Sequence, residues 1–134
     1  MTLAFRELTG KVIGAAIEVH AVLGPGFLES LYAQALALEL RARGVAFERE
    51  LVVPVRYRGQ EIGCHRLDLL VEGRVVVELK AARDLETVHF AVVRSYLKAT
   101  GCEHGLLLNF ARPTLQVRRV GVRSGYGVGS PART

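Results

Sequence analysis

The sequence has no tryptophan, and phenylalanine and tyrosine are sparse. It therefore has no aromatic platform on which successive bases could stack. Its cysteines, Cys64 and Cys102, lie far apart and form no CxxC pair. That excludes a disulfide scaffold and suits a reducing compartment. The histidines, at 20, 65, 89 and 104, have neither zinc-finger nor HExxH spacing, which excludes the common zinc patterns. No apolar run approaches the roughly 20 residues that a membrane span requires. Met1 to Glu7 lacks a charged leader followed by an apolar stretch, so no signal peptide is expected. The expectation is a cytoplasmic protein without a membrane partner. No internal repeat is visible.

What is present suits one α/β domain. A length of 134 residues is one domain's worth, and half of them are hydrophobic. Basic residues outnumber acidic ones 18 to 13, giving a net charge of +5. A basic balance attracts phosphate backbones, although part of this excess sits near the C-terminus, at Arg118, Arg119, Arg123 and Arg133.

Periodicity predicts a helix over 5–23, with Phe5, Leu8, Val12, Ala16 and Val19 on its core face. Gly24, Pro25 and Gly26 stop it. A second helix is predicted over 27–43, facing the core through Leu28, Leu31, Ala35 and Leu38, and Gly44 ends it. Strands follow at 46–57, 61–71 and 74–81; Pro54 makes the first an edge strand or a bulged one. A third helix spans about 85–99, with Val88, Val92, Ser95, Tyr96 and Ala99 on one face. Strands at 104–110 and 115–120 complete the order. A helix between the third and fourth strands predicts a right-handed crossover in a mixed sheet covered by helices. From residue 121 the chain is rich in Gly, Ser, Pro and Arg, which predicts a disordered basic tail over 121–134.

The chemistry concentrates between Arg66 and Lys80. Two apolar strands are interrupted there by Asp68, Glu78 and Lys80. Buried charges usually pair or hold a metal, because leaving one uncompensated is costly. Glu78 and Lys80 are two apart and share one strand face, while Leu79 points into the core. A hairpin loop of odd length around Gly73 brings Asp68 onto the face of Glu78. A two-residue loop would separate them. Two carboxylates, a backbone carbonyl (that of Leu79) and waters suit Mg²⁺ or Mn²⁺. Lys80 supplies a compact positive charge for an attacking water or for charge developing on phosphate. By spacing alone, the same residues also fit an ion-paired, solvent-facing patch.

Gly26, Glu29 and Tyr32 form a GxxExxY pattern, flanked by blocks around Ile17–His20, Leu23–Gly26, Val77–Ala81, Tyr96–Gly101 and Leu108–Phe110. From about residue 5 to 120 the chain resembles the GxxExxY protein family of the PD-(D/E)xK nuclease-like superfamily. The resemblance implies a restriction-endonuclease-like core, a mixed central β-sheet flanked by helices, in one domain over 1–120. It implies that Asp68, Glu78 and Lys80 are the metal-binding and catalytic residues of a metal-dependent nuclease acting on DNA or RNA. It also implies that Glu29 points into the same site and assists metal binding. Tyr32 reads as a packing or hydrogen-bonding residue, and Gly26 as a turn residue. In one place the chain departs from the family: Val92 stands where the family carries a glutamine, four residues before Tyr96. His89, one turn earlier, is a polar group that could stand in. Arg94 and Lys98, four apart, could contact phosphates. The alternative expectation is a nucleic-acid-binding or protein-interaction module that keeps the fold without the chemistry. An open sheet edge offers a route to a homodimer.

Overall fold

Thr2 opens the first helix: its hydroxyl accepts the N–H of Phe5 at 3.3 Å, satisfying one of the amides that a helix start leaves free. A computed structural model describes residues 2–122. The elements run α1 (Leu3–Leu23), α2 (Glu29–Ala42), β1 (Phe47–Tyr57), β2 (Gln60–Val71), β3 (Val75–Lys80), α3 (Thr87–Thr100), β4 (His104–Asn109) and β5 (Gln116–Gly121). Gly24 ends α1 with a φ of 71°. Of the tail expected from residue 121, positions 123–134 lie outside the described residues, and Gly121 closes β5.

The five strands form one sheet in the order β1-β2-β3-β4-β5. Neighbours are antiparallel except β3 and β4, which are parallel and joined through α3, so the sheet is mixed as expected. Pro54 lies on the edge strand β1, and the register shifts just beyond it, between Val55 and Arg56. An edge is where a residue without an N–H is tolerated.

Helices cover both faces. Leu8, Val12, Ala16 and Val19 of α1 and Leu36 and Leu40 of α2 pack on Leu69, Val77, Leu79, Leu106 and Leu108. On the opposite face Val93 and Leu97 of α3 pack on Leu67, Leu70, Val76, Leu107 and Val120. Gly105 lets α3 come close: a Cβ there would lie 2.9 Å from Val93 Cγ1.

Two helix faces differ from expectation. On α2, Leu28, Leu31 and Leu38 are exposed, and Tyr32, Leu36 and Leu40 point inward. Leucines occur all round this helix, so periodicity alone fits two faces. Tyr32 takes the inward one because its hydroxyl is satisfied there. It donates to the Gly24 carbonyl and accepts the N–H of Phe27 at 3.2 Å, and the ring stacks on Phe110 at 4.5 Å. On α3 the buried residues are Val93 and Leu97, and Val88 is exposed. The stripe through Val88, Val92 and Ala99 therefore lies to the side of the true contact.

Candidate active site

The site lies where β2 and β3 part. The two strands pair from Val71 with Val75 to Leu69 with Val77, joined by Glu72, Gly73 and Arg74. The connection therefore has an odd number of residues, with Glu72 and Gly73 both left-handed at φ 51° and 66°. By that register Asp68 comes next, opposite Glu78, but the ladder ends one pair earlier. β2 twists at this point. Leu69 packs with α1 and α2, whereas Leu67 packs with α3. A regular strand would hold both on one face. β1 is irregular at the same level: Glu50 has a φ of 50°, and pairing passes from Arg49–Leu69 to Leu51–Leu67.

Side chains take over where the ladder stops. Asp68 Oδ2 accepts the N–H of Leu79 at 2.9 Å. Two residues on, Glu29 Oε2 accepts the N–H of Ala81 at 3.0 Å. Amides two apart along a strand point to the same edge, so these carboxylates line the edge of β3 that β2 has left. Glu29 reaches it because the GxxExxY segment is locally rigid. Gly26 adopts a φ of 111°, open to glycine but strained for other residues, and Tyr32 ties down Gly24 and Phe27 just before α2 begins at Glu29. Beyond Lys80, the buried Asn109 holds the chain by pairing with both backbone groups of Ala82, at 3.0 and 2.7 Å.

Glu78 is the unusual group. It is 6% exposed, its Oε1 has no hydrogen-bond partner, and Lys80 Nζ is 3.8 Å from its Oε2. Burial pushes its pKa up to about 8. The charge of Asp68 and a hydrogen bond with it add to the rise, Glu29 adds less, and Lys80 opposes it. Tyr96 on α3 faces the same cluster: burial, then the charges of Glu78 and Asp68, raise its phenol to about 12. Its ring meets the edge of His65 at 4.7 Å. Leu79 turns its side chain into the core, leaving only its backbone to the site.

Asp68, Glu78, Lys80 and Glu29 are thus brought together. His89 is used elsewhere: its Nδ1 accepts the N–H of Glu86 at 2.9 Å and caps α3. Val92 is half-buried and adds no polar group. Neither Tyr96 nor Asn109 belongs to the site residues expected from the sequence. An asparagine closing the apolar run Leu106–Leu108 was the available signal for the second.

Among the described residues, no group of three or more His, Cys, Asp or Glu is gathered so as to hold a metal ion. Two neighbouring carboxylates suffice for Mg²⁺, which keeps waters and substrate oxygens as its other ligands. The buried, unpartnered oxygen of Glu78 fits such a cation, because an uncompensated buried carboxylate is costly.

The fold is shared with a solved protein. The crystal structure of SSO0001 matches with a TM-score of 0.56 at 17% identity, over 73% of this chain and 55% of that one. The chain thus spans about half the length of that protein. An alkaline exonuclease from Laribacter hongkongensis, LHK-Exo, matches with a TM-score of 0.49 at 10% identity, over 91% of this chain and 84% of that one. LHK-Exo in complex with dAMP also matches with a TM-score of 0.49, at 12% identity, over 85% and 80% of the two chains. No curated protein matches the sequence. The model of the PD-(D/E)XK nuclease superfamily matches residues 6–120, nearly all of the described chain. Family members generally use divalent metal ions. The mixed five-stranded sheet is the restriction-endonuclease-like α/β fold, and the chain belongs to the PD-(D/E)XK nuclease superfamily.

Proposed function

We propose that this chain is a divalent-metal-dependent nuclease that hydrolyses phosphodiester bonds in DNA or RNA, within one domain over residues 1–120. The carrying observation is Glu78: buried, with a free oxygen and a pKa raised to about 8, it lies beside Asp68 and Lys80 at a break in the sheet. Perturbed acids of this kind cluster at functional sites. Asp68, Glu78 and the backbone carbonyl of Leu79 would hold Mg²⁺ or Mn²⁺, with Glu29 assisting. When bound, the cation supplies Lewis acidity at a phosphoryl oxygen and lowers the pKa of a water beside it. The Lys80 ammonium orients the attacking water or stabilises negative charge on the phosphate as it develops.

Within the superfamily, the proposal places the chain in the GxxExxY family. The linkage of Gly26, Tyr32 and Glu29 to the end of β3 gives that pattern a physical purpose. No described helix is long and apolar enough to cross a membrane, and the proposed setting is the cytoplasm. Pairing of two copies through a free edge of β1 or β5 is part of the same proposal, and sedimentation would check it.

Val92 favours a second reading, a nucleic-acid-binding module without turnover, because an apolar side chain stands where the resembling family carries glutamine. Cleavage of labelled single-stranded, duplex and branched DNA and RNA with Mg²⁺ or Mn²⁺ separates the two. Metal-dependent cleavage that disappears in Lys80→Ala and Glu78→Gln supports the nuclease. Salt-sensitive binding without cleavage supports the module.

A further inference from the structure

Between the β1–β2 hairpin and α3 lies a groove of about 410 Å³. Pro54, Val55, Arg56, His65, Ser95 and Lys98 are among the residues that line it. Among the described residues, neither Arg56 nor Lys98 forms an ion pair. Its His65 connects it, through Tyr96, to the site described above. His65 meets Tyr96 edge-on at 4.7 Å, and Tyr96 senses the charges of Glu78 and Asp68. His65 and Tyr96 therefore bridge the basic groove and the acidic cluster.

We propose that this groove carries a single nucleic-acid strand by its phosphates into the site, so that the substrate class is single-stranded nucleic acid or a single-stranded end. The inference rests on the nuclease reading above and deepens it. Two cations that line one cleft without an ion-pair partner among the described residues concentrate field on an anion, and the Ser95 hydroxyl can donate to a phosphate oxygen. The volume is at the small end of ligand clefts, which run from roughly 300 to 1,000 Å³. That is room for a nucleotide or two of a single strand. The chain has no tryptophan for stacking, so the contact is with the backbone and is indifferent to sequence.

The test is fluorescence anisotropy with a short labelled oligonucleotide in EDTA, presented single-stranded and as a blunt duplex across a salt series. Cleavage is measured separately with metal. We expect the single strand to bind more tightly than the duplex. The double variant Arg56→Ala with Lys98→Ala should weaken single-strand binding about tenfold. It should also flatten the slope of log K against log salt by roughly 1.4, at about 0.7 per lost phosphate contact. Lys98→Arg should keep the affinity. Equal single-strand affinity in the double variant, or tighter binding of the duplex, would overturn the groove even if the wild type cleaves. Wild type that cleaves nothing, with binding still lost in the double variant, would leave the groove standing and remove the nuclease reading.

Discussion

The two ends of the β2–β3 hairpin are built from the same strands and do opposite things. At the turn end, Leu69, Leu70 and Val71 pair with Val75, Val76 and Val77, and every side chain is buried and apolar. A residue further along, pairing stops and the positions belong to Asp68, Glu78 and Lys80. The backbone amide of Leu79, which a continued ladder would have occupied, is met by the Asp68 carboxylate instead. The paired end supplies stability. The open end holds polar groups that stability alone would not select, among them a carboxylate oxygen buried without a partner. The candidate site thus arises by ending a ladder early on a central strand, without a long loop.

That contrast can be broken from either side. The largest effect is expected at the open end. Lys80→Ala should lower the cleavage rate about a hundredfold to a thousandfold, the range seen when one charge-stabilising donor is removed. Its melting temperature should stay near wild type. Single-turnover kinetics beside a thermal melt would show whether activity and stability separate. A Lys80→Ala protein that fails to fold would merge the two ends into one structural unit.

At the paired end the balance reverses. Leu69→Ala removes a fully buried side chain from the α1–α2 face and should cost about 3 kcal/mol in urea unfolding. Cleavage per folded molecule should stay within a few-fold of wild type.

A smaller effect follows from the raised pKa of Glu78. The metal-free folded state holds its proton up to about pH 8, whereas the unfolded chain releases it near the ordinary value of 4.5. Between those values the native state binds more protons, so stability falls as pH rises through that window and levels off above it. Glu78→Gln should remove that loss, and denaturant midpoints across the window in EDTA would reveal it. A wild-type profile as flat as the variant's would mean that Glu78 is not strained by its burial.

The smallest effect is expected at Glu29. Glu29→Gln keeps an oxygen for the Ala81 amide and removes only charge, so stability should change by less than about 1 kcal/mol. Cleavage should show a raised metal requirement, visible as a shifted Mg²⁺ titration.

Much of the fold was legible because its signals are local. Gly24 and Gly44 mark helix ends, Pro54 marks an edge strand, and the apolar run of β3 marks a strand covered on both sides. The hairpin parity that sets Asp68 opposite Glu78 could be framed from sequence as a question of loop length, and the three residues Glu72–Arg74 answer it. Other features depend on tertiary packing. Leucines surround α2, and only the partners of the Tyr32 hydroxyl select its inward face. The twist at Asp68 coincides with the left-handed Glu50 of the neighbouring strand, which no local pattern marks. The approach of Tyr96 depends on how closely Gly105 lets α3 settle.

The most direct measurement is calorimetric titration of Mn²⁺ into the wild type, Glu78→Gln and a control carrying Glu103→Gln, an exposed carboxylate at the turn end of the hairpin and not its open end. Saturable binding in wild type and control, abolished in Glu78→Gln, is the predicted result. Equal binding in all three, or none in the wild type, would contradict a cation site at the open end of β2 and β3.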